Sequence, residues 1–150
     1  MDRSELKLKL MEYAAKGYEV PRMDMIKTPE QIEGIRKAGK VNSAVLDAVE
    51  KNIKVGMTTD DINTIVYDTT LKLKAIPACL NYEGFPKSVC TSVNDVICHG
   101  IPDPHQVLKS GDIVNVDATT IYEGYVGDAS RMFMLGRVPA ERKNLSLIHI

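Results

Sequence analysis

GDIVNVDATTIYEGYVGDASRMFML, residues 111–135, has the pattern of a β-hairpin. Two runs rich in β-branched and aromatic residues flank Glu123-Gly124, a two-residue loop whose glycine meets the positive φ that such turns need. With that loop Tyr122 pairs with Tyr125, Asp117 faces Ser130, and Thr119 faces Asp128. Directly opposed residues share a face of the sheet. Asp117 and Asp128 therefore project to the same side as diagonal neighbours, with Cβ atoms about 7 Å apart. That separation suits two carboxylates gripping metal ions between them. A loop longer by one residue would put the acids on opposite faces. A solvated pair on the open face of a hairpin is the competing reading, since aspartate is common beside turns. Ile121 and Val126 share the face, however, and a carboxylate in apolar company needs a compensating charge that a cation would supply.

Upstream of the hairpin, SVCTSVNDVIC (88–98) is rich in β-branched residues and reads as strand, bend, strand. His99 follows in CHGIPDPHQ, a turn held by the sheet and so a good place for a functional side chain. Alone, a histidine is more often structural than catalytic. A Cys98–His99 dyad is disfavoured, because neighbours on an extended strand point to opposite faces. His105 reads as solvated, and His149 carries no signal. Further back, Thr28-Pro29-Glu30-Gln31 combines a capping threonine, an N1 proline and a capping-box glutamine. Ile32, Ile35, Ala38, Val41, Val45 and Val49 follow at helical spacing. Gly56 and Thr58-Thr59-Asp60-Asp61 end that unit and cap a second helix, which buries Ile62, Ile65, Val66 and Leu73 and stops at Pro77. A helix from Ser4, as its cap, to Lys16 reads as an appendage. Helix, helix, then antiparallel strands is the order of an α+β domain.

The 150 residues suffice for one domain with a core. A net charge of −1 excludes a basic field that would draw nucleic acid or an anionic membrane. No apolar stretch is long enough to span a bilayer, and the N-terminus lacks the apolar block of a signal peptide. Cys79, Cys90 and Cys98 sit in apolar contexts without a C-x-x-C pair. They read as reduced, buried thiols of a cytosolic protein rather than a disulfide framework or zinc site.

NYEGFPKSVCTSVNDVICHGIPD and LKSGDIVNVDATTIYEGYVGDASRMFMLG, preceded by IKTPEQIEGIRKAGKVNSAVLDAV, resemble type I methionine aminopeptidases over roughly residues 26–140. The resemblance implies the N-terminal half of a pita-bread (creatinase/aminopeptidase) fold, α+β, with helices packed on a curved antiparallel sheet. It implies Asp117 and Asp128 as metal ligands, the latter bridging two ions. It makes His99 the catalytic histidine that hydrogen-bonds substrate near the scissile peptide. Tyr82, Phe85 and Cys90 match the methionine pocket, and Thr119 would lie beside the metals. The implied activity is two-metal removal of the N-terminal methionine, with cobalt, manganese, iron or zinc. Its implied substrates are nascent polypeptide N-termini, with association at the ribosome. The setting is cytoplasmic, the full-length protein monomeric, with no nucleic-acid specificity and no membrane.

The expected organisation is an appendage at 1–25, the N-terminal half of the aminopeptidase domain at 26–144, and an atypical tail at a truncation point, 145–150. The family's site also needs a histidine and two glutamates from a second half, which Glu141 and His149 do not replace. Two carboxylates leave most of a shell of about six ligands to water. The isolated chain is therefore expected to be an incomplete, inactive copy with apolar surface prone to self-association. Alternatives are an aminopeptidase P or prolidase-like peptidase, which shares the fold and both aspartates, and a non-catalytic pita-bread binding module. A truncated regulator is the third.

Overall fold

The computed structural model describes the backbone of residues 2–147 and the side chains of 2–144. His149 and most of the expected 145–150 tail lie outside the described residues. The chain clusters into two compact units, residues 1–33 and 34–150.

The first unit carries α1 (Arg3–Ala15), none of whose residues is buried. Its cap is Asp2, not Ser4. The Asp2 carboxylate accepts from the Ser4 and Glu5 amides at 2.7 and 2.8 Å, satisfying two of the orphan donors of the first turn.

The second helix, α2 (Pro29–Asn52), starts as its sequence signal requires. The Thr28 amide donates to Gln31 Oε1 at 2.9 Å and the Gln31 amide returns to Thr28 Oγ1 at 3.3 Å. Its stripe enters the core later than the spacing suggests. Ile32 and Ile35 are exposed, and burial begins at Ala38 and continues through Asn42, Val45, Leu46 and Val49.

The third helix, α3 (Thr59–Lys72), is capped by a complete Thr58–Asp61 box and buries Ile62 and Val66, with Ile65 and Leu73 packed partly against them. It ends before Pro77 rather than at it. Leu73 is the C-cap, Lys74 turns left-handed at φ 58°, and Pro77 enters the sheet instead.

The sheet comprises β1 (Ile76–Pro77), β2 (Cys90–Val93), β3 (Ile113–Tyr122) and β4 (Tyr125–Met134), all pairs antiparallel, and α4 (Ala140–Leu147) follows. β3 is the central strand: β4 pairs along its whole length, while β1 and β2 pair with its two ends. The hairpin register is the one the two-residue loop dictates, with Tyr122 opposite Tyr125, Asp117 opposite Ser130 and Thr119 opposite Asp128. Glu123 and Gly124 both have positive φ, 50° and 81°. The second strand expected within 88–98 does not form. Asn94 adopts φ 54°, the Val96 amide closes a turn onto Val93 O, and Ile97 is 92 % exposed. Cys98, expected to be buried, is exposed on this irregular segment.

Burial alternates along β3. Val114, Val116, Ala118 and Thr120 are buried on the core face, where Val45, Val49, Ile62 and Val66 belong to the same cluster. Asn115, Asp117, Thr119 and Ile121 are half-buried on the other face. Close backbone approach fixes α2 on the hairpin. Asn42 Nδ2 donates to Ala118 O at 2.8 Å in a buried setting. Gly127 lies so near the helix that a Cβ there would sit 2.4 Å from Ala38 O. At the rim, Arg131 Nη1 bridges Asp47 Oδ1 (3.0 Å) and Glu50 Oε2 (2.6 Å).

Candidate metal centre and adjoining cleft

Both aspartates stand on the non-core face of the hairpin. Asp117 lies mid-strand with β2 on one side and β4 on the other, and Asp128 is the diagonal neighbour on β4. Partial burial pushes the Asp117 carboxyl above the ordinary aspartate range. The charge of Asp128 adds to that shift, and His99 opposes it. Asp128 is exposed and its Oδ1 accepts from Thr119 Oγ1 at 2.8 Å, so the hydroxyl orients the carboxylate. Two like charges, one partly desolvated, are held side by side at a cost that a divalent cation would relieve. The donor set fits a hard cation in kind. It does not complete a site, since no group of three or more His, Cys, Asp or Glu that could hold a metal ion occurs among the described residues.

Register carries the site sideways from Asp117. Cys90 pairs with it across β2, so their side chains share a face. Next to β2 runs the His99-Gly100 segment. The Thr91 amide donates to Gly100 O at 2.7 Å and the Gly100 amide to Ser92 Oγ at 3.2 Å. A Cβ on Gly100 would be 2.1 Å from Thr91 O, so only glycine allows this approach. His99, at φ 56°, is exposed, and its charge acts on the Asp117 carboxyl.

Tyr82, Phe85, Cys90 and His99, all singled out from the sequence, line one open cleft of about 460 Å³. Its outer wall is a loop with three left-handed residues. Asn81, Glu83 and Gly84 all have positive φ, and the Asn81 amide bonds Phe85 O at 2.8 Å. The loop is pinned to the start of α3. Lys87 Nζ meets Asp60 Oδ1 at 2.5 Å, and the Ser88 amide donates to Asn63 Oδ1 at 2.9 Å. Cys79 and Ile101 also line the cleft, and the sequence reading missed both. Each lies a step outside the recognised cluster of site residues, one before the loop and one after His99-Gly100, which was the only signal available. Burial, then Cys79 and Asp117, push the Cys90 thiol up to about 12, so it faces the cleft as a neutral, apolar sulfur. Thr119 is not in the cleft lining but stands with the aspartates. His105 is exposed, as expected of a solvated loop residue.

Comparison with known proteins gives this arrangement a class. Residues 33–148 match metallopeptidase family M24, and the chain belongs to that family. It is 50 % identical over 113 residues to the methionine aminopeptidase of Buchnera aphidicola (subspecies Schizaphis graminum), covering 75 % of this chain and 43 % of that protein. The crystal structure of methionine aminopeptidase from Rickettsia prowazekii matches it with a TM-score of 0.80 and 44 % identity, over 82 % of this chain and 49 % of that one. X-Pro aminopeptidase from Thermotoga maritima matches with a TM-score of 0.66 and 25 % identity, over 81 % of this chain and 33 % of that one. The chain thus spans less than half the length of each of these three proteins, and its fold is the α+β pita-bread type. No helix among the described residues is long and apolar enough to cross a membrane.

Proposed function

We propose that the chain supplies one side of a methionine aminopeptidase active site, which removes the N-terminal methionine from newly made proteins. The observation that carries this reading is the juxtaposition of two parts. Asp117 and Asp128 share one sheet face, and Asp117 adjoins a cleft walled by Tyr82, Phe85 and Cys90 with His99 at its edge. Aromatic rings and neutral sulfur make a lining suited to a flexible thioether, and the volume lies within the usual range for small-ligand pockets.

Asp117 and Asp128 would hold divalent ions, one of cobalt, manganese, iron or zinc, with Thr119 keeping Asp128 in place. Such ions supply Lewis acidity that acidifies water and polarises the scissile carbonyl. His99, exposed beside them, donates a hydrogen bond to the substrate peptide where charge develops in the transition state. Nascent chains at the ribosome, in the cytoplasm, are the matching substrates, and the full-length protein would be a monomer. The identity to methionine aminopeptidases favours this over a prolidase-like peptidase. Both acids are present, which argues against a binding module without chemistry. Two carboxylates fill only part of a shell of about six ligands, so the 150-residue chain alone binds metal weakly and lacks peptidase activity.

The test compares cleavage of Met-Ala-Ser and Ala-Pro peptides with added metal. It uses both the 150-residue chain and the protein encoded by the gene's whole reading frame. Metal-dependent methionine release by the latter alone is expected, abolished by Asp117→Asn or Asp128→Asn. Preference for Ala-Pro, or full activity in those variants, would overturn the reading.

A further inference from the structure

The aromatic wall of the cleft is an excursion from one edge of β3. The Ala78 amide still donates to Thr119 O at 2.9 Å before the chain leaves that strand, and the chain rejoins it at Cys90, opposite Asp117. Thr119 and Asp117 are two residues apart, so the neck of the excursion is about 7 Å wide at the usual strand rise. Cys79 and Cys90 stand on the two sides of that neck. Both line the cleft, so the two side chains open into the same space.

We propose that Cys79 and Cys90 form a reversible disulfide when the protein meets a peroxide, stapling the neck of the excursion that walls the cleft. A disulfide needs Cα atoms about 4.4–6.8 Å apart, which a neck of this width accommodates. Cys79 is the reachable thiol, half-buried against 7 % exposure for Cys90. The Cys79 sulfur attacks a peroxide oxygen and the O–O bond breaks. This leaves a sulfenic acid on Cys79 and releases water from hydrogen peroxide, or an alcohol from an organic peroxide. The Cys90 sulfur then attacks Cys79 sulfur. The S–O bond breaks, the hydroxyl leaves with the Cys90 proton as water, and the S–S bond forms. Two electrons pass from the sulfurs to the peroxide, and an external thiol returns them. Cys98, exposed and outside the cleft lining, is the competing partner. The staple holds the kinked segment around Asn81–Phe85 in one arrangement and replaces two thiols on the cleft wall with a bridge. Pairing needs neither metal nor substrate, so its test is independent of the peptidase reading.

The 150-residue chain is treated with hydrogen peroxide, its free thiols are blocked with iodoacetamide, and the digest is read by mass spectrometry. The expected product joins the Cys79 and Cys90 peptides at a mass two hydrogens below their sum, with Cys98 alkylated, and dithiothreitol reverses it. Cys98→Ser keeps this product and Cys79→Ser abolishes it. In urea, where the neck no longer exists, pairing preference among the three cysteines disappears. Cross-links running mainly through Cys98 in the folded chain would overturn the proposal. So would recovery of Cys79 and Cys90 as free thiols while Cys98 is oxidised, or the same pairing preference in urea.

Discussion

Gly127 is where α2 and the hairpin meet most closely, and Gly127→Ala measures how firmly that contact holds the site. The new methyl carbon would stand 2.4 Å from Ala38 O, 2.6 Å from Ala38 C and 2.8 Å from Gly39 N. Ordinary contact begins at 3.4 Å, so the shortest approach falls short by 3.4 − 2.4 = 1.0 Å. All three neighbours are backbone atoms of a helix and cannot swing away. Overpacking of this kind costs about 3 kcal/mol at the upper end of its usual range. Removing glycine's unfolded-state freedom returns about 0.5–1 kcal/mol. The net loss is about 2 kcal/mol, or about 8 °C in Tm at roughly 4 °C per kcal/mol. Gly39, on the same helix, has nothing within 4 Å of a built Cβ. Gly39→Ala should therefore gain about 0.5–1 kcal/mol and raise Tm by about 3 °C. Thermal melts of both variants, followed by far-UV circular dichroism, give the two signs. A Gly127→Ala chain that melts at or above the parent would refute the packing described here, as would two shifts of the same sign.

Asn42→Ala should lower stability by about 1 kcal/mol in urea titration, because it removes the buried side-chain bond to Ala118 O, which keeps its ladder partner on β4. Thr119→Val frees Asp128 from its 2.8 Å hydroxyl donor and should weaken manganese binding about fivefold by calorimetry, with little change in Tm. The Thr58 amide, followed by its hydroxyl, lowers the Asp61 carboxyl below the ordinary aspartate range. That stabilisation is present above the ordinary aspartate pKa and is lost as pH falls through the lowered one. Asp61→Asn should flatten this part of the acid limb of a Tm-against-pH profile, and an unchanged limb would remove Asp61 from the account.

Elements with self-contained signals were readable from the sequence. Thr28/Gln31 and Thr58/Asp61 each carry both halves of a capping box within four residues. Glu123-Gly124 fixes a register that then propagates through ten pairs to place both aspartates. What failed depended on distant partners. Val96 and Ile97 have strand propensity but no edge to pair with once Asn94 turns the chain. Ile32 and Ile35 fit the helical stripe, yet burial starts only at Ala38. Ser4 has the residue type of a cap, but Asp2, two residues nearer the terminus, takes that position. Tyr82, Phe85 and Cys90 are marked by resemblance alone, and His99 also by its place in the CHGIPDPHQ turn. Their meeting in one cleft depends on the close approach at Gly100 and the ties to Asp60 and Asn63, which no local pattern announces.

The strand that carries Asp117 is hydrogen-bonded along both edges, whereas Tyr82 and His99 sit on irregular segments held by a few bonds. Opening β3 means dismantling the core that its even-numbered side chains build, so amides around Asp117 should exchange with solvent only when the whole unit unfolds. The loops around Tyr82 and His99 open at much lower cost. Asp117 is therefore as immobile as the fold itself, while the groups facing a bound side chain keep freedom to adjust around it.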